Sequence, residues 1–271
     1  MRIYGVDFTS VPTPRKPITA AHGYLEGNVL TIERIEAINS FESFEEFLHR
    51  PGPWISGFDF PFGLPRDALN AFRWPGTWED MVGHCARLGR NRFADRLNKD
   101  RIARPPGKRY RYRSGDRIAG SSPAVRLHQV PVGYMFFEGA QRLARSGINI
   151  PVLRENKSNR IALEAYPGYL TKAQLRIASY KNDERRKQTP QRENNRKLIV
   201  ERICAGTPLG IRLDASRSLT RSLVADATGD RLDSVICALQ AAWGWRNRER
   251  RYGLPDKIDS VEGWIVTVPG T

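Results

Sequence analysis

A chain of 271 residues with 40% apolar side chains fits one large folded domain or two small ones, and that composition excludes intrinsic disorder. Its net charge of +15 points to a polyanionic partner, nucleic acid rather than a membrane surface, because no basic amphipathic helix stands out. Three widely spaced cysteines (Cys85, Cys204, Cys237) exclude a disulfide framework, four scattered histidines give no zinc pattern, and no apolar run reaches the roughly 18 residues of a membrane span.

The N-terminus enters a strand at once, over residues 2–8, without the residue order of a signal peptide, so the expected setting is the cytoplasm. Residues 9–17 carry three prolines and read as a loop. Ile18–Leu25 and Asn28–Ala37, joined through Glu26 and Gly27, read as an antiparallel hairpin. A helix over 43–50 follows Ser40, with Phe44, Phe47 and Leu48 at helical spacing and Pro51 as its stop. Trp54–Phe60 is a buried strand, and Pro61, which lacks an N–H, ends its ladder.

Residues 66–160 are less regular and read as a basic, partly helical insertion, with helices over 78–97 and near 134–146. From Arg87 to Arg126 there are 13 Lys and Arg against three acids. The section from Arg101 to Arg113 interleaves basic and aromatic side chains, a pattern in which arginines hold phosphates and tyrosines stack on bases. Arg104, Lys108, Arg109, Arg111 and Arg113 are therefore the expected contacts to RNA or DNA, on a stretch expected to move when no anion is bound.

Ile161–Pro167 is another short strand, with Glu164 on the face of Ala162 and Tyr166. Helices are expected over 169–178, from Pro190 to about 205, over 216–226, and from Asp230 to Trp245, and Val261–Val268 reads as a further edge segment.

Two strands share the pattern Ile-x-Gly-x-Asp: Ile3, Gly5, Asp7 and Ile55, Gly57, Asp59. Paired in register, they would set two glycines side by side and two carboxylates together at strand ends, where open α/β sheets bind ligands. In the last helix Asp230, Asp233, Cys237, Ala241 and Gly244 fall on one face, small below its acids. Such a face can lie close on a sheet surface cleared by Gly5 and Gly57, bringing Asp233 and Asp230 toward Asp7 and Asp59. Clustered carboxylates repel, and a hard divalent cation, Mg²⁺ or Mn²⁺, relieves that repulsion.

The Gly5-Val-Asp7 opening, the run from Asp59 to Pro65, Glu164-Ala-Tyr-Pro167 and Asp230-Arg-Leu-Asp233 resemble, in that order, domain-of-unknown-function family 429, described as predicted nucleases of the RNase H-like fold. The resemblance implies a single α/β domain over residues 1–271, a mixed central sheet flanked by helices. It also implies metal-dependent hydrolysis of nucleic acid, with Asp7, Asp59 and Asp233 as metal ligands. Asp230 is a candidate fourth ligand, as in Holliday-junction resolvases. Glu164 matches a motif position, either as a catalytic, metal-binding residue or as one that orients its loop. Two alternatives remain open at this point. One is a non-catalytic nucleic-acid-binding module of the same fold. The other is an ATP-dependent phosphotransferase, disfavoured because Asp7-Phe-Thr-Ser10 runs into prolines rather than a glycine-rich phosphate loop.

Overall fold

The molecule, a computed structural model describing residues 1–270, is organised around a six-stranded sheet. Its strands are β1 (Arg2–Asp7), β2 (Ile18–Glu26), β3 (Val29–Ile38), β4 (Trp54–Asp59), β5 (Arg160–Glu164) and β6 (Arg212–Ala215), in the spatial order β5-β4-β1-β2-β3-β6. β2 is antiparallel to both neighbours, and the β5–β4, β4–β1 and β3–β6 pairings are parallel. β1, β4 and β5 therefore finish at the same edge, which carries Asp7, Asp59 and Glu164.

Among the described residues there are eight α-helices: α1 (Phe41–Leu48), α2 (Arg66–Phe72), α3 (Trp78–Ala103), α4 (Ser114–Ala119), α5 (Val132–Ser146), α6 (Pro190–Cys204), α7 (Arg217–Ala225) and α8 (Asp230–Arg246). The alternation of side chains along each strand divides the core in two. Tyr4, Val6, Trp54 and Phe58 point to one face and pack with Phe44 and Phe47 of α1, Phe93 of α3 and Phe136 and Leu143 of α5. Ile3, Ile55, Ile161 and Leu163 point to the other, against Val235, Ala238 and Ala242 of α8 and Ile199 and Ile203 of α6. Helices from residues 66–160 thus supply most of one covering layer.

The local signals act as expected where their chemistry is strong. Ser40 caps α1 by accepting from the Ser43 N–H, and Thr189 does the same for the Arg192 N–H ahead of Pro190 in α6. Gly27, at φ 58°, turns the hairpin between β2 and β3.

Several elements differ from the sequence reading. The helix expected to end near 97 continues to Ala103, broken internally at Gly89 with φ 76°. The helix expected over 169–178 is a single wide π-type turn, Tyr169–Gln174. The tail adds one bridge, Glu164 to Ile265, rather than an edge strand. The short elements α2, α4 and β6 have too few residues to display a period. Among the described residues no helix is long and apolar enough to cross a membrane.

Candidate metal centre and its cleft

β1 and β4 pair in parallel with Ile3 opposite Ile55, Gly5 opposite Gly57 and Asp7 opposite Asp59. The repeated pattern thus places both glycines and both carboxylates side by side. α8 lies across the cleared surface. A methyl group on Gly5 would overlap the backbone of Ser234 and Ala238, and one on Gly57 would overlap the Cys237 carbonyl. Only a residue without a Cβ permits that approach.

The close contact carries Asp233, fully buried in the first turn of α8, to the sheet edge. Oxygen atoms of Asp7, Asp59 and Asp233 lie within 4.8 Å of one another. Burial pushes the Asp7 carboxyl well above the ordinary range; Asp233, Asp230 and Asp59 add to that effect, and Lys181 opposes it. Burial, reinforced by Asp233 and opposed by Lys181, raises Asp59 to about 7. Three carboxylates this close, two with raised proton affinity, form a site short of positive charge.

The segment before α6 supplies the existing counter-charge. Lys181 donates to one oxygen of Asp233, and the Tyr180 hydroxyl donates to the other at 2.5 Å. Burial acts against the Lys181 ammonium, but Asp233, Tyr180 and Asp7 outweigh it and hold its pKa well above the usual value. Neither residue was singled out by the sequence, where both sit in a polar run without periodicity. The one available signal was Tyr180, an aromatic side chain isolated among polar residues.

Two of the expected acidic residues fall outside this group. Asp230 precedes the trio by one turn of α8 and is not a member of it; its charged neighbours include Lys16, Lys181 and Asp226. Glu164 pairs with Phe58, not Asp59, and so belongs to the opposite face of the sheet. Both of its oxygens bond the Arg113 guanidinium, at 2.6 and 2.8 Å, and one also accepts from the Phe62 N–H at 2.9 Å. Its carboxylate therefore fixes the turn after Asp59 rather than joining the trio.

The basic stretch is corrected in the same way. Arg113 is buried, bridging Glu164 and Asp116 and donating to the Glu262 carbonyl. Burial acts against its charge, and the two acids restore it. Arg111 is paired with Asp100 at 3.0 Å and Asp67 at 3.1 Å. Neither has a guanidinium free for phosphate. Lys108 and Arg109 are exposed, and Arg104, half-buried, donates to the Lys108 carbonyl.

Asp59 and Asp233 open into a cleft of about 570 Å³. Arg113, Glu164 and Lys181 also line it, together with Lys172 and the apolar side chains Val130, Val132, Met135, Tyr166 and Ile265. Arg104, Lys108 and Arg109 do not.

Comparison with curated proteins and with solved structures returns no match. The family described as "Protein of unknown function (DUF429)" matches residues 5–259, a span that takes in the end of β1 from Gly5, both glycine contacts and all three clustered aspartates. The chain belongs to that family.

Proposed function

We propose that the protein is a metal-dependent nuclease of the RNase H-like type, acting on RNA or DNA. The observation that carries this reading is the meeting of three carboxylates from β1, β4 and α8 at the carboxyl edge of the sheet. The order β3-β2-β1-β4-β5, with β2 alone reversed and a helix between β3 and β4, supports the RNase H-like assignment.

The donor set fits a hard cation. It offers oxygen only, from groups that repel one another when ionised, and neither a thiol nor an imidazole belongs to it. Asp7, Asp59 and Asp233 would hold Mg²⁺ or Mn²⁺, which supplies activation of water and neutralisation of charge on a phosphodiester. The surrounding residues position those ligands. The Tyr180 hydroxyl fixes the orientation of Asp233. The Glu164–Arg113 pair anchors the turn at Phe62, and the contacts at Gly5 and Gly57 set the height of α8 above the sheet. A protein that only gripped phosphates would gain nothing from gathering negative charge in its cleft.

Asp59→Asn tests the proposal. The amide keeps the shape of the side chain and removes the charge. Calorimetric titration with Mn²⁺ should show affinity lower by at least about tenfold, since even outer partners of metal ligands are worth about 10–100-fold. Cleavage across a panel of RNA, DNA, hybrid and branched substrates should disappear. The metal-free thermal midpoint should hold or rise, because one member of a repelling cluster is gone. Metal-dependent cleavage at the wild-type rate by folded Asp59→Asn would remove Asp59 from the site.

A further inference from the structure

The lining of the cleft has two chemically different parts. Asp59 and Asp233 belong to one. The other is apolar, formed by Val130, Val132 and Met135 at the entry to α5, with Tyr166, beyond the end of β5, within electrostatic reach of the two carboxylates. Val130 is 49% exposed, an aliphatic side chain left open to solvent on the wall of a cavity. Lys172 is exposed on the same cleft, and no carboxylate pairs with it among the described residues.

Size and chemistry together select the occupant. A volume of about 570 Å³ lies within the ~300–1,000 Å³ of small-ligand pockets. A stacked duplex occupies far more than that volume and cannot enter whole. A continuous phosphate backbone would match a basic groove, not aliphatic side chains. A flat heteroaromatic ring carrying a phosphate matches both parts of the lining, because enzymes that act on an extruded base hold it between apolar or aromatic side chains.

We infer that the cleft takes one unstacked nucleotide of a single-stranded or frayed nucleic acid. Its base lies against Val130, Val132, Met135 and Tyr166, and its phosphate lies at the carboxylates, with Lys172 meeting the adjoining strand. The inference rests on the nuclease reading for its phosphate end, whereas the base wall stands independently of any metal.

The test measures binding to the intact protein by calorimetry, with and without Mn²⁺. The probes are 2′-deoxyadenosine, deoxyadenosine 5′-monophosphate, 2-deoxyribose 5-phosphate, single-stranded oligo(dA), and a duplex closed at both ends by hairpins. Base stacking should make the nucleotide bind about tenfold tighter than the sugar phosphate. Oligo(dA) should displace the nucleotide, and the closed duplex should not. Val130→Asp, at a half-exposed position that folding does not need, should abolish the advantage of the base and leave Mn²⁺ affinity as in the wild type. Lys172→Ala should weaken oligo(dA) while leaving 2′-deoxyadenosine unchanged.

Equal affinity for nucleotide and sugar phosphate would overturn the inference. So would displacement by the closed duplex, or a Val130→Asp protein that keeps its preference for the base. Absence of Mn²⁺ binding to the wild type would instead defeat the metal reading. In that case 2′-deoxyadenosine still decides the base wall, supporting it if Val130→Asp abolishes binding and refuting it if the wild type binds none.

Discussion

Lys181 holds the place of a cation. Its ammonium sits against Asp233 and within electrostatic reach of Asp7 and Asp59. An ion entering the cluster must compete with it. Lys181→Met should therefore bind Mn²⁺ at least about tenfold tighter, a gain of ~1.4 kcal/mol, and melt at a lower temperature when metal-free. Unchanged affinity and melting would show that the ammonium and the ion do not compete. His22 gives a separate prediction at this scale. It is buried beside Tyr4 and Phe47, with Glu36, Arg34 and Arg50 as its charged neighbours. Burial, then Arg34 and Arg50, lower its pKa from 6.5 to about 4 against the pull of Glu36. Between those values the unfolded chain binds a proton that the folded chain refuses. The contribution of His22 to stability is thus full above pH 6.5 and falls as the pH drops toward 4, by roughly 3 kcal/mol at most. From pH 7 to pH 5 the raised Asp7 and Asp59 carboxyls stabilise the folded chain and His22 opposes them, so the melting temperature should move further toward loss in the wild type than in His22→Asn. An equal difference in both would place the acid sensitivity elsewhere.

Among the elements, legibility followed period and repetition. The duplicated Ile-x-Gly-x-Asp pattern forecast the register of β1 on β4, because a repeat of two fixes both the face and the partner. The small residues of α8 forecast its approach to the sheet, since nothing larger fits there. The basic stretch misled because a run of arginines does not reveal which of them are matched by distant acids. Arg113 finds Glu164 across 51 positions, and Arg111 finds Asp67 across 44. The pairing of Tyr180 and Lys181 with Asp233 was illegible for the same reason: that partner lies more than 50 residues on. The two kinds of arginine should separate by experiment. Arg113→Ala leaves Glu164 and Asp116 buried without their cation and should cost about 3–5 kcal/mol in urea unfolding. Joint replacement of Arg104, Lys108 and Arg109 by Ala should leave stability within about 0.5 kcal/mol. If these three hold phosphates, the salt dependence of nucleic-acid binding should flatten by about one unit of log–log slope for each phosphate let go. An unaltered slope would make them a solvated loop.

For the molecule as a whole, the excess of +15 is only partly free to act. Much of the charge that looks available in the chain serves to tie helices to the sheet edge, as Arg113 does for α4 and Arg66 for the segment at Asp259. The centre itself is assembled from the first strand and one of the last helices, so it exists only when the two ends of the chain have met. Gly5→Ala tests that dependence. The methyl would press on the backbone of Ser234 and Ala238, which has no side-chain freedom with which to yield. The expected loss is about 1–3 kcal/mol or more, accompanied by weaker Mn²⁺ binding even in protein that remains folded. Full Mn²⁺ affinity in a destabilised Gly5→Ala protein would separate packing from chemistry.

The contact of α8 on Gly5 and Gly57 also sets how freely this protein can change over generations. Loops around the cleft can lengthen, shorten or exchange side chains without altering the distance between the aspartates. The span between helix and sheet has no such latitude, because a single added carbon forces Asp233 away from its partners. Variation in what the protein binds is thereby left to the rim, while the spacing of the carboxylates is calibrated by two absent side chains.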